Sequence, residues 1–152
     1  MSYDSTADTL AHIHKVRDRI DAFVTVMLQR GRIHDASKFS PAEKPAFDVA
    51  LGKLGTTPYG SPAFDAIVAE MGPALAHHHA HNPHHPEHYG DAGIAGMDLF
   101  DLVEMLCDWM AAAERVPGQG VDLKHNVRLF GITPQLAAIL ANTLARWPKA
   151  TG

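Results

Sequence analysis

Apolar residues recur at three- and four-residue intervals along most of this chain, and no run shows convincing strand alternation. From about Thr6 to Gln29, Leu10, Ile13, Ile20, Phe23, Val24 and Met27 draw one apolar stripe along a helix. His12 falls in step with Val16, Ile20, Phe23 and Met27, so it is expected to face a core, whereas His14 shares a polar face with Arg17, Asp18 and Asp21. Gly31 is placed to end this helix in a left-handed turn. Ser40-Pro41-Ala42-Glu43 carries a Ser N-cap, a first-turn Pro and a capping-box Glu, and predicts a helix to about Leu54 that presents Phe47, Leu51 and Leu54.

Gly55 to Gly60 reads as a loop, and Ser61-Pro62 starts a further stripe through Phe64, Ile67, Val68 and Met71. Gly72-Pro73 interrupts that stripe and predicts a kink or a fresh start, with helix over Ala74–His81 and a stop at Asn82-Pro83. Met97–Val116 is a clear helix, with Leu99, Leu102, Val103, Leu106, Met110 and Ala113 on its buried side. A turn at Pro117–Gly120, a short helix near Asp122–Leu129 and a final helix from Thr133-Pro134 to about Trp147 complete the pattern. The expected fold is all-α, a compact bundle of five to six helices forming one domain over residues 1–152.

Composition narrows the function classes. The formal charge of −4, without a basic stripe, argues against an extended nucleic-acid partner, although a free nucleotide needs only a local positive site. The one cysteine, Cys107, excludes an internal disulfide and is expected to pack as a small hydrophobe. The first residues do not read as a signal peptide, and no window reaches the roughly 20 apolar residues of a membrane span, so a cytoplasmic protein with no membrane partner is expected. A homo-oligomer is compatible with the sequence.

The chemistry concentrates in Ala76–Gly90, which holds His77, His78, His79, His81, His84, His85 and His88, seven of the eleven histidines. Imidazole is the commonest protein ligand for transition metals. In helical register Leu75 and His78 share one face, and His77 and His81 share another. Carboxylates are also at hand: Asp35 follows His34 directly, and Asp101, Glu104 and Asp108 fall on one face of the later helix. A mixed His/Asp set without thiolates suits Mn, Fe, Co, Ni or Zn, as one or two ions, and argues against a structural zinc.

The order of a helix histidine, an HD pair and a late helix aspartate resembles the HD-domain superfamily of metal-dependent phosphohydrolases. The chain is still more similar to an uncharacterised family of short phage and bacterial proteins, with the motifs Asp8-Thr9-Leu10-Ala11-His12-Ile13, His34-Asp35-Ala36-Ser37-Lys38-Phe39, His77-His78 through Tyr89, and Leu99 through Trp109. His14, His79 and His81 fall outside this pattern. The resemblance implies His12, His34, Asp35 and Asp108 as metal ligands, with Asp101 in reserve and His77 or His78 beside them. His78 with His84 or His85 would serve a second ion.

Where related nucleotidases often carry a carboxylate shortly after the HD pair, this chain has Lys38, which suits an anionic phosphate or a pairing with Asp35 or Glu43. Lys38, His84, His85 and Glu104 are therefore the candidate catalytic groups. The expected activity is metal-dependent hydrolysis of a nucleotide or another small phosphate ester or anhydride. The alternatives are a dinuclear iron oxygenase of the HD type and a non-catalytic metal-binding or partner-binding protein.

Overall fold

The computed structural model describes residues 3–57, 60–115 and 118–148, so Pro58 and Tyr59 of the expected loop, and Val116 and Pro117 at the expected helix end and turn, lie outside the described residues. The protein is all-α, with no strand among the described residues. It divides into two compact units, Met1–His34 and Asp35–Gly152.

The first unit is one helix, α1 (Thr6–Ile33). It runs through Gly31, and the left-handed residue after it is Asp35, with φ 57°. A short polar side chain tolerates that region better than other residues, so the helix does not need the glycine to stop. No residue of α1 is buried, and His12 is exposed together with Val16 and Ile20 of its stripe. Within this unit, a single helix, the stripe that includes His12 has no core of its own to face. Periodicity states which residues share a helix face but not whether anything covers that face.

The second unit opens with a 3₁₀ turn, Ala36–Phe39, followed by α2 (Lys44–Leu54), α3 (Pro62–Glu70) and α4 (Gly72–His81). Ser61 caps α3 by accepting from the Phe64 N–H at 3.2 Å. The break between α3 and α4 falls at Gly72, whose φ of 43° lets the chain restart in a new direction. Phe47, Ala50 and Met71 form the core of these helices, with Leu54, Ile67 and Leu75 packed against it.

A 3₁₀ segment, Pro86–Gly96, leads into α5 (Leu99–Ala113), α6 (Leu123–Leu129) and α7 (Pro134–Arg146). Gly96 has no room for a side chain, because a Cβ there would lie 2.7 Å from the Tyr89 ring. Asp98 and Asp101 form a capping box at the start of α5, and Thr133 caps α7. Leu106, Ile132 and Leu140 make a second core, which Trp109 and Phe130 extend as stacked rings 5.8 Å apart. Cys107 is half-buried on α5. No helix among the described residues is long and apolar enough to cross a membrane.

Leu106→Ala, at a buried position of the second core, is expected to destabilise the protein by about 2–5 kcal/mol. Leu51→Ala, on the exposed side of α2, should change stability by about 0.5 kcal/mol or less. Urea titrations followed by far-ultraviolet circular dichroism check both.

Candidate metal centre

Asp35, the first residue of the second unit, has a left-handed backbone, and the following turn closes with the Lys38 N–H donating to the Asp35 carbonyl at 2.9 Å. Lys38 Nζ lies 2.5 Å from Asp35 Oδ2 and 4.9 Å from the centre of the Phe47 ring. One carboxylate oxygen is thereby committed to a cation. The other, Oδ1, faces His78 Nε2 at 3.3 Å and His84 Nε2 at 3.5 Å.

His78, 2% exposed, is held from behind. Its Nδ1 lies 2.9 Å from Glu43 Oε2, and Glu43 is wholly buried. Asn82 spends its amide hydrogens on Ser37 Oγ and the His78 carbonyl, both at 2.7 Å, and the Ser37 hydroxyl donates to Glu43 at 3.1 Å. The proton between His78 and Glu43 therefore belongs to His78 Nδ1. A neutral ring with that tautomer presents the Nε2 lone pair to the interior of the cluster. Glu43 also accepts from His77 Nδ1 at 2.7 Å. Burial pushes the Glu43 carboxyl up, but the hydrogen bonds from His77, Ser37 and His78 outweigh it and hold the pKa below its ordinary 4.5.

The second imidazole repeats this arrangement from the other side. His84, 1% exposed, has Nδ1 3.2 Å from Glu104 Oε1 on α5. Its Nε2 is thus also the inward atom. His85 completes the group, with Nε2 3.0 Å from His78 Nε2. Ligand atoms of Asp35, His78, His84 and His85 all lie within 4.8 Å of one another.

Donors around one ion at about 2.0–2.2 Å stand about 3.0–3.5 Å apart, from octahedral to tetrahedral geometry. The observed spacings of 3.0, 3.3 and 3.5 Å match that range. With both rings neutral, two Nε2 lone pairs face a carboxylate oxygen, and the cluster can hold a metal ion.

The residues singled out from sequence are distributed as follows. Asp35, His78, His84 and His85 come together. Asp108, half-buried on α5, has a carboxylate oxygen within 4.8 Å of a His84 ring nitrogen, and its charge acts on His85. Glu104 is buried behind His84. His77 is turned to Glu43 and stacks on His81 at 4.0 Å, so it supports the cluster from outside. Asp101 is occupied by the capping box and by the Tyr89 hydroxyl at 2.5 Å. His12 and His34 belong to the first unit, His12 exposed and His34 half-buried at the end of α1.

Glu43 is the residue whose role the sequence pattern misassigned. Read as a capping-box residue, it makes no side-chain cap, and α2 begins one residue after it. A carboxylate that can accept from two imidazoles and a hydroxyl gains more by turning inward than by bonding one backbone N–H. Ser37 and Asn82, the other members of the network, stand inside the quoted motifs, Ser37 with no assigned role and Asn82 only as a helix stop.

Burial, aided by the neighbouring His84, His78 and His79 and opposed by Asp108, pushes the His85 pKa from 6.5 down to about 3. The unfolded chain then binds a proton that the folded state refuses, so stability contributed by neutral His85 is present above pH 6.5 and is lost as pH falls toward 3. In metal-free protein, His85→Gln is expected to flatten this acid limb, measured as urea midpoints between pH 7 and 4.

No curated protein and no solved structure matches this chain. A family model matches residues 1–146, nearly the whole sequence. The chain belongs to that family, DUF5662, a family of unknown function.

Proposed function

We propose that this protein is a metal-dependent phosphohydrolase that acts on a nucleotide or another small phosphate ester or anhydride. The observation that carries the reading is the Asp35 oxygen facing two imidazole Nε2 atoms whose Nδ1 atoms are each engaged by a buried carboxylate. Carboxylate–histidine support of this kind fixes ring orientation and raises the basicity of the inward nitrogen. The order of the HD pair, the histidine stretch and the late aspartate supports the same reading through its resemblance to the HD superfamily.

In this scheme Asp35, His78 and His84 would hold a divalent ion of the manganese-to-zinc series. Such an ion supplies Lewis acidity, lowering the pKa of water and polarising a phosphoryl oxygen. Glu43 and Glu104 keep the protons on Nδ1 of His78 and His84. Lys38 neutralises one oxygen of Asp35, so its main task is to position that carboxylate. His85 Nε2 lies 3.0 Å from His78 Nε2, and burial keeps the His85 ring neutral. It is the group placed to accept the proton of the attacking water.

The test is phosphate release from a panel of nucleotides and small phosphate esters, after chelation and reloading with each metal in turn. Metal-dependent release is expected, and His85→Gln should lower kcat about 10²–10⁴-fold. Glu43→Gln should weaken metal affinity about 10–100-fold. Stoichiometric metal with no hydrolysis of any substrate would turn the reading to oxygen chemistry or to binding without turnover. Metal retained equally by Asp35→Asn and His78→Ala would overturn the site itself.

A further inference from the structure

His79 lies outside every motif quoted above, and the cluster just described does not use it. It is half-buried near the end of α4, with its ring 5.0 Å from that of His85. The chain after α4 folds back over it in two successive turns. The His85 N–H donates to the Asn82 carbonyl at 3.1 Å, and the His88 N–H donates to the His85 carbonyl at 3.0 Å. The His88 ring then bonds the His79 carbonyl through Nδ1 at 2.9 Å, tying the loop to the helix. This return carries Glu87 to His79, and the Glu87 charge acts on the His79 ring.

Ligand atoms of His79, His85 and Glu87 lie within 4.8 Å of one another. Two imidazoles and a carboxylate form a donor set that suits zinc and its neighbours in the first transition row, with water free to complete the coordination. Glu87 is exposed, so an ion can exchange there directly with solvent.

We propose that His79, His85 and Glu87 form a second divalent-cation site, adjacent to the first and sharing His85 with it. The two sites differ in kind. The inner one is backed by the buried Glu43 and Glu104, whereas the outer one rests on a solvent-facing loop, so it should bind more weakly and exchange faster. Filling the outer site takes up the His85 imidazole. If His85 serves as proton acceptor, an excess of metal would therefore slow turnover. That consequence rests on the phosphohydrolase reading, but the site itself does not.

The experiment is equilibrium dialysis of chelator-stripped protein against zinc, with bound metal counted by mass spectrometry. Four proteins are compared: the parent, His79→Ala, Glu87→Gln, and His78→Ala. Two equivalents are expected in the parent, and one each in His79→Ala and Glu87→Gln. His78→Ala should lose the tighter equivalent and keep the weaker. Circular dichroism of each variant controls for folding, and agreement between the two outer-site variants guards against damage peculiar to one substitution. One equivalent in the parent, absent from His78→Ala, would overturn the second site and leave the first standing. Two equivalents in both outer-site variants would overturn it as well. No zinc in any of the four would remove both sites.

Discussion

The buried carboxylate of Glu43 is the constraint on which the rest of the candidate centre depends. A charge with no exposed surface persists only where hydrogen bonds replace its water, and here His77, His78 and Ser37 supply them. Those bonds fix the His78 tautomer, and the tautomer decides that Nε2 is the atom turned toward Asp35. Asn82 closes the network by holding both Ser37 and the end of α4. Glu104 performs the equivalent task for His84 from α5. Two carboxylates from distant parts of the chain thus orient two rings toward one oxygen.

The same arrangement explains why this part of the fold tolerates unfavourable local choices. Asp35 adopts a left-handed backbone, and four imidazoles crowd within reach of one another. The ion pair from Lys38 and the charges of Glu43 and Glu104 offset part of that cost. A cation at the convergence of Asp35, His78, His84 and His85 would offset more. Departures from local preference concentrated in one place are what a functional site is expected to show.

Much of the helical pattern was legible in the sequence, because capping residues and prolines punctuate it. Ser61-Pro62, Gly72, Asn82 and Thr133-Pro134 mark real boundaries. Gly31 was misleading, since a helix can pass through glycine when the next turn has another way to stop. Asp35 and the histidines of the 77–85 stretch were legible as chemistry, from the density of imidazole beside carboxylates. Glu43 was not, because a glutamate three residues after a serine has a local explanation that suffices until the tertiary partner is seen. The tautomers were equally hidden, as they depend on carboxylates contributed by elements far apart in sequence.

The most direct test of this account is the protonation of the His78 and His84 rings, read by ¹⁵N nuclear magnetic resonance of histidine-labelled protein before and after addition of zinc, with single histidine variants for assignment. In the zinc-loaded protein both rings are expected to carry their proton on Nδ1, and the Nε2 resonances to shift on metal addition. Protons found on Nε2, or Nε2 resonances indifferent to zinc, would contradict it.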